Sequence, residues 1–285
     1  HDPEGKAYPS FASFKRFSVD MFQFDAHFDV SAMRRVEPRV AIFLGDDMSI
    51  ANILESGGAT WEADGVKGHV GSYWLTQRNG YAVEVINDET FQHLDREQVL
   101  VVPYSPVIRP ESIGRILAVA RRGGTVIIDG PFAQFDGNHV PYDVCPGGGS
   151  AEALGVRCSG FGRETRELVL PDGAHVHARG GSMDLHLTPE VTVLCRDTAG
   201  EPAVLACPLG RGTVFWALAG LGAENRTRAP DPRLLAYWGS LLRHAGVQPR
   251  FTFCGDTTVP ETFAAVPLDH GGKGIADSAP LFDVS

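Results

Sequence analysis

The segment from residue 55 to residue 65 combines an aromatic ring with carboxylates, which is the chemistry of a sugar-binding loop. Trp61 could stack on the apolar face of a pyranose, while Glu62 and Asp64 could accept hydrogen bonds from its hydroxyl groups. Paired acids also catalyse glycoside hydrolysis, but only at a defined separation across one bond. Packing of Trp61 within its own loop explains the same pattern, so we assign no catalytic residue here.

Asp129 is a second candidate, because it directly follows the apolar run of residues 125–128. A carboxylate at the carboxyl end of a central strand lies where ligands bind in open α/β sheets. The alternative is that Asp129 caps its own turn through nearby backbone amides. Trp74, in a predicted helix, and Phe132, just after this turn, are further candidates for contact with a ligand or a partner.

The five cysteines are odd in number, and their spacing includes no Cys-x-x-Cys pair. Cys145 lies in a Cys-Pro-Gly-Gly-Gly-Ser loop, where a plain thiol is a better interpretation than a nucleophile. We therefore expect free, mostly buried thiols in a reducing compartment, which favours a cytoplasmic protein.

Two histidines, His175 and His177, would lie on one face of a strand and could bind a metal ion together with His186. A solvated hairpin face explains them as well, so we predict no metal site. The Gly-Gly-Gly-Ser sequence at residues 147–150 lacks the Gly-Lys-Ser/Thr ending of a phosphate-binding loop. The sequence thus predicts no cofactor.

The composition is that of an ordinary globular protein, with 43% hydrophobic and 21% charged residues. A formal net charge of -10 repels phosphates at long range, and no stripe of basic and aromatic residues offsets it, which argues against nucleic acid as a partner. No apolar run approaches the roughly 18 residues needed to cross a bilayer, so we expect no membrane segment.

Strands and helices alternate through the first half of the chain. Apolar runs predict strands at 39–44, 81–86, 98–103 and 125–128, and helical periodicity predicts helices at 66–79 and 110–122. The second helix begins at Pro110 and ends before Gly123 and Gly124. This alternation predicts right-handed crossovers and a mostly parallel sheet with helices on both faces.

We divide the chain into three regions. Residues 1–35 form an aromatic-rich extension in which Phe11, Phe14 and Phe17 recur at helical spacing, so they should pack on the domain or on another chain. Residues 36–250 form the α/β domain, with a β-rich antiparallel insertion at 135–207 made of short strands and turns. Residues 251–285 form a C-terminal tail.

Four segments of the domain carry a family resemblance. They are 79–89, Leu100-Val-Val-Pro103, Gly123-Gly-Thr-Val-Ile-Ile-Asp-Gly130 and Gly210-Arg-Gly-Thr-Val-Phe-Trp216. They resemble the class I glutamine amidotransferase-like domain of glycoside hydrolase family 42 β-galactosidases, often called the trimerisation domain. The resemblance implies a flavodoxin-like fold and a role in assembling the oligomer that frames an active site on a separate barrel.

Amidotransferase chemistry would need a cysteine after the strand at 125–128 and a histidine after the strand at 213–217. The sequence has Asp129-Gly130-Pro131 at the first position and Leu218-Ala-Gly-Leu221 at the second. A catalytic barrel needs roughly 250 residues of its own, for which this chain has no room beside the domain. The sequence therefore predicts a non-catalytic module.

The leading hypothesis is a module that forms a homo-oligomer or joins a catalytic barrel domain, and that borders a carbohydrate site. A stand-alone enzyme with an acidic site around Glu62, Asp64 and Asp129 is an alternative from another class. A small-ligand sensor is the third.

Overall fold

The structure is a computed structural model that describes residues 34–35, 38–48, 51, 64–91, 99–224, 231–249 and 268–269. The chain divides into two compact units, Pro38–Phe263 and a smaller one made of His1–Glu37 with Ala264–Ser285. In the smaller unit, β1 (Arg34–Arg35) pairs antiparallel with β11 (Leu268–Asp269). The predicted N-terminal helix and most of the C-terminal tail lie outside the described residues.

A nine-stranded sheet forms the larger unit, in the order β3-β2-β4-β5-β10-β9-β8-β6-β7. Its strands are β2 (Val40–Phe43), β3 (Val83–Ile86), β4 (Val99–Val107), β5 (Thr125–Phe135), β6 (Val156–Val169), β7 (His175–Leu187), β8 (Thr192–Asp197), β9 (Pro202–Leu209) and β10 (Gly212–Ala217). The helices that the described residues cover in full are α1 (Asp64–Arg78), α2 (Pro110–Arg121), α3 (Ser150–Leu154), α4 (Leu221–Glu224) and α5 (Pro232–His244). None of the described helices is long and apolar enough to cross a bilayer.

The first five strands in this order run parallel, and the last four extend the sheet by antiparallel pairing. The parallel part confirms the α/β fold predicted from alternating strands and helices. Strands β2, β4 and β5 of this part are buried on both faces, which is why they read as continuous apolar runs such as Val40-Ala-Ile-Phe43.

Successive residues of each central strand point to opposite faces, and two separate cores result. Val40 and Ile42 pack with Leu75 of α1 and Trp238 of α5 on one face. On the other face, the alternate residues of the same strands pack with α2. Helices therefore cover both faces, as the sequence predicts.

Two central strands are longer than their apolar runs indicate. β4 runs to Val107 and β5 to Phe135, and the pair continues through register shifts after Pro103. Positive φ angles at Tyr104, Gly130 and Ala133 accompany these irregularities. The predicted end of the strand at Ile128 was wrong, because the backbone passes Gly130-Pro131 as an irregularity within the strand rather than as a turn.

The antiparallel region is built from fewer and longer strands than predicted. β6 and β7 form one hairpin of 14 and 13 residues. Its turn is Pro171-Asp-Gly173, where Gly173 has a positive φ and Asp172 accepts a hydrogen bond from the amide of Ala174. Register shifts, one of them at Gly160, keep the two long strands paired where the sequence predicts several short ones.

Candidate functional site at the carboxyl ends of the parallel strands

The order of the parallel strands reverses between β2 and β4, because the chain moves from β2 to β3 on one side and then to β4 on the other. In open α/β sheets, ligands bind in the crevice at the carboxyl ends of the strands around such a point. Asp46 and Asp47 follow β2, Asp88 follows β3, and Arg109 follows β4. These four side chains form what we call the switch-point rim.

Asp47 and Arg109 form the best-defined pair of the rim. Nε of Arg109 donates to Oδ2 of Asp47 at 2.9 Å, its Nη2 donates to Oδ1, and its backbone amide donates to Oδ2 at 3.1 Å. The Asp47 side chain is 7% exposed and that of Arg109 is 44% exposed. Hydrogen bonding from Arg109 holds the pKa of Asp47 below its usual value. Asp47 is thus a buried anchor, and Arg109 keeps part of its guanidinium at the surface.

Asp88 ties β3 to α2 and to the loop after β2. Its Oδ1 accepts a hydrogen bond from the hydroxyl of Ser112, and its Oδ2 accepts one from the amide of Asp46 at 3.0 Å. The pKa of Asp46 is raised, first by burial and then by the negative charge of Asp88. The rim therefore presents closely spaced acids with one guanidinium, a set that could accept and donate hydrogen bonds to hydroxyl groups.

Asp129 lies deeper, at the last register between β5 and β10, and is 1% exposed. Its Oδ1 accepts from the amide of Leu221 at 2.6 Å, and its Oδ2 accepts from the amide of Gly222 and the hydroxyl of Ser72, both at 2.9 Å. The carboxylate thus caps the start of α4 and also binds α1. The sequence leaves open that Asp129 caps its own turn. In the structure it does act as a cap, but for a helix that begins 92 residues further along the chain.

Burial raises the pKa of Asp129 to about 6, against the opposing effect of its three hydrogen-bond donors. A raised pKa in a carboxylate is one mark of a catalytic acid, but it also occurs at structural sites. Here the side chain is enclosed and both of its oxygens are bonded to protein groups. This geometry favours a structural tie between β5, α1 and α4.

His69 of α1 is a residue that sequence reasoning missed. Its Nδ1 lies 2.6 Å from the carbonyl oxygen of Gly65, and its Nε2 lies 3.1 Å from that of Phe43, the last residue of β2. Burial lowers the pKa of His69 despite these two carbonyl neighbours. The ring links the first turn of α1 to the end of β2, beside the rim. Only its four-residue spacing from Gly65 within a helix was visible in the sequence.

The structure describes only some of the remaining aromatic and acidic candidates. Trp61 and Glu62 lie outside the described residues, and Asp64 is the first residue of α1. Trp74 is half-buried, with its ring 5.8 Å from that of Tyr73 and the guanidinium carbon of Arg78 6.0 Å from its centre.

Phe132 belongs to the core instead of a binding surface. It is fully buried, and its ring packs edge-on against Trp216 at 6.2 Å. A side chain without exposed surface cannot contact a ligand or a partner, so its selection as a candidate was wrong. Phe132 lies in the same core as Val126 and Ile128 of β5.

His175 and His177 lie near Glu167, with Nδ1 to carboxylate distances of 3.6 and 4.0 Å. His186 pairs with Arg157 near the opposite end of the hairpin, whereas His177 pairs with Glu167. Nine residues of strand correspond to roughly 30 Å, so His186 cannot join the other two on one ion. Within the described part of the chain, no group of three or more potential ligands could hold a metal ion.

A groove of about 490 Å³ lies away from the rim. It runs between α5 and the face of β8, β9 and β10, and its lining includes Leu194, Phe215, Tyr237, Leu241 and His244. Thr213, near the amino end of β10, also lines it, so the groove is not at the carboxyl ends of the strands. Its surface is mainly aromatic and aliphatic, in contrast to the charged rim.

Solved structures of glycoside hydrolases resemble this chain. The match to a catalytic mutant of a GH42 β-galactosidase from G. stearothermophilus has a TM-score of 0.63 at 16% identity, and covers 75% of this chain and 31% of that one. The match to a β-galactosidase from Bacillus circulans sp. alkalophilus has a TM-score of 0.61 at 16% identity, and covers 76% of this chain and 32% of that one. The match to α-L-fucosidase isoenzyme 2 from Paenibacillus thiaminolyticus has a TM-score of 0.52 at 16% identity, and covers 75% of this chain and 33% of that one.

The chain shares its fold with part of the GH42 β-galactosidases. At this level of identity the likeness concerns the fold alone, and the chain spans about a third of the length of these structures. No family model and no curated protein matches the sequence.

Proposed function

We propose that this chain is a non-catalytic, amidotransferase-like module of a β-galactosidase-type glycoside hydrolase, and that it serves in oligomer assembly. Numbered along the chain, the five parallel strands lie in the order 2-1-3-4-5, which is the order of flavodoxin-like folds. This topology supports the flavodoxin-like, amidotransferase-like assignment. The fold likeness to GH42 β-galactosidases supports the choice of parent enzyme.

The environment of Asp129 is the observation that most directly supports a module without catalytic activity. The resemblance to amidotransferases implies a thiol directly after residues 125–128 and an imidazole after residues 213–217. At these two positions the chain instead has Asp129 and the backbone of Leu221 and Gly222, joined directly by hydrogen bonds. A buried structural contact occupies the place where a nucleophile and its base would have to meet a substrate.

The length of the related structures supports a role beside a catalytic partner. They are about 2.4 times as long as this chain, and a catalytic barrel alone needs roughly 250 residues. We therefore propose that hydrolysis resides on another domain or chain, with this module holding copies together. The unbridged cysteines 145, 158, 195 and 207 fit a reducing compartment, and we propose a cytoplasmic location on that basis.

We also propose that the switch-point rim borders a carbohydrate site. Arg109 is 44% exposed, and Asp46 is partly exposed at the same edge. Charged groups held in fixed positions by neighbours can exchange hydrogen bonds with sugar hydroxyls at little cost in side-chain entropy. In a thermal-shift titration, galactose should stabilise the chain, and Arg109→Ala should abolish that stabilisation.

The assembly role is tested by mass and activity measurements on the same purified chain. We expect sedimentation to give the mass of an oligomer and a chromogenic galactoside to remain unhydrolysed. A monomer across the accessible concentration range would contradict assembly, and turnover by the chain alone would contradict the absence of catalysis. Val85→Lys and Val140→Lys introduce charges at two strongly exposed valines, so a reduced mass in one variant would locate the contact.

The alternative of a stand-alone enzyme with an acidic site makes a different prediction for Asp129. If that carboxylate takes part in chemistry, Asp129→Asn should abolish turnover while the folded protein remains. Any turnover that survives this substitution in a folded variant excludes Asp129 as a catalytic acid, whereas its loss would favour the enzyme.

A further inference from the structure

Cys145 and Cys158 lie directly opposite each other. They form an isolated antiparallel bridge between the segment before α3 and the start of β6, and the amide of Cys158 donates to the carbonyl oxygen of Cys145 at 2.7 Å. Residues opposed in this way have Cα atoms about 4.5–5.5 Å apart. Disulfides require about 4.4–6.8 Å, so the backbone of this pair already has a suitable spacing.

The two thiols also interact with each other. The hydrogen bond from the Cys158 thiol lowers the pKa of Cys145, whereas the same bond, together with burial, raises the pKa of Cys158. Both residues are only partly buried, so a small reagent can approach. Cys145 is therefore the better attacking group, and Cys158 is positioned to attack second.

The other described cysteines lack this arrangement. Cys195 is buried beside the hydroxyl of Tyr237 at 3.2 Å, and Cys207 is buried with its pKa raised to about 12. In the sheet register, Cys195 lies opposite Val204 and Cys207 lies opposite Val214. Neither faces another cysteine across its strand pair.

We propose that Cys145 and Cys158 are a redox-responsive pair that forms a reversible intrachain disulfide with a low-molecular-weight disulfide, such as oxidised glutathione, as the oxidant. In the first step, the thiolate of Cys145 attacks one sulfur of the oxidant, the S–S bond of the oxidant breaks, and one small thiolate leaves. In the second step, the Cys158 thiolate attacks the sulfur of Cys145 and releases the second small thiolate.

The exchange is balanced, because the protein pair loses two electrons and its two thiol protons while one oxidant molecule becomes two thiols. The bond closes a ring that contains α3 and joins the segment before it to the start of β6. A ring of this size stabilises a protein mainly by restricting its unfolded state. The inference depends on this pair alone, so it is independent of the proposed function.

The test is to incubate the complete folded chain with oxidised and reduced glutathione at several ratios, quench with acid, and alkylate under denaturing conditions. Peptide mapping by mass spectrometry should then find one linkage between the peptides of Cys145 and Cys158, reversed by dithiothreitol. The melting temperature should rise by about 5–10 °C in the oxidised form.

Variants distinguish this mechanism from nonspecific oxidation. Cys158→Ser should retain a glutathione adduct on Cys145, and Cys145→Ser should form no intrachain bridge and show no rise in melting temperature. Cys207→Ser serves as the matched control, and it should still form the bridge. The proposal fails if folded wild-type protein keeps both thiols, stops at a stable glutathione adduct, or links either cysteine elsewhere.

Discussion

Gly71 of α1 lies against Gly222 of α4 so closely that a β-carbon at Gly71 would be 1.8 Å from the carbonyl oxygen of Gly222. A β-carbon at Gly222 would in turn lie 2.6 Å from the hydroxyl oxygen of Ser72 and 2.8 Å from Oδ2 of Asp129. The close approach of the two helices is therefore what allows Asp129 to bond both of them. The two glycines and the carboxylate act as one structural unit.

Gly71→Ala should consequently destabilise the protein by about 3 kcal/mol or more, since backbone atoms cannot move aside as a flexible side chain can. Gly114→Ala is the matched control, because Gly114 also lies inside a helix but has no atom within 4 Å of an added β-carbon. It should stabilise the protein by about 0.5–1 kcal/mol through reduced backbone entropy of the unfolded chain. Urea unfolding measures both, and equal effects would contradict the packing argument.

Asp129 should give the protein an unusual pH dependence. Because its folded-state pKa is raised to about 6 from 3.8, the folded state holds a proton that the unfolded state has released between these values. Its contribution to stability is fully present below pH 3.8 and is lost as the pH rises through about 6.

The measurement compares wild type with Asp129→Asn, whose side chain does not titrate. Over the range from about pH 4 to pH 7, the stability of wild type relative to the variant should fall by about 2–3 kcal/mol. Other acids titrate in both proteins, so the difference isolates Asp129. A difference that stays constant or grows with pH would contradict the assigned environment.

Local signals in the sequence were sufficient to predict the elements whose ends they mark. Helix α2 runs from Pro110 to Arg121, within one residue of its prediction, because proline fixes its first turn and glycines follow its end. The burial of β2 and of the first part of β4 also followed directly from their apolar runs. These features depend on residues close together in the chain.

What could not be predicted depends on contacts between distant residues. The partners of Asp129 lie 57 to 93 residues away, and Arg109 lies 62 residues from Asp47. No local pattern indicates which amide or guanidinium a carboxylate will meet across a crossover. The continuation of β5 past Gly130 has the same origin, since it is pairing with β4 that overrides the local turn preference.

Arg109→Lys should weaken the ion pair with Asp47, because a single ammonium cannot reproduce the bidentate contact of the guanidinium. Since Asp47 is buried, we expect a loss of about 1–2 kcal/mol in the free energy of unfolding. Arg233→Lys is the control, as Arg233 makes a similar contact with Asp231 at an exposed site two residues away. Its effect should be clearly smaller, because an exposed ion pair contributes little to stability. Equal losses in the two variants would mean that the rim pair contributes no more than a surface ion pair.

Asp47 should respond to pH in the opposite direction from Asp129. Its folded-state pKa lies below 3.8, because Arg109 stabilises the ionised form. The resulting stabilisation is fully present above the unfolded-state pKa and is lost as the pH falls through the lower folded-state value. Asp47→Asn should therefore be most destabilising near neutral pH, and its deficit relative to wild type should shrink as the solution is acidified below 3.8. Acid titrations of unfolding in both proteins measure this, and a deficit that widens towards low pH would show that Arg109 does not hold Asp47 ionised.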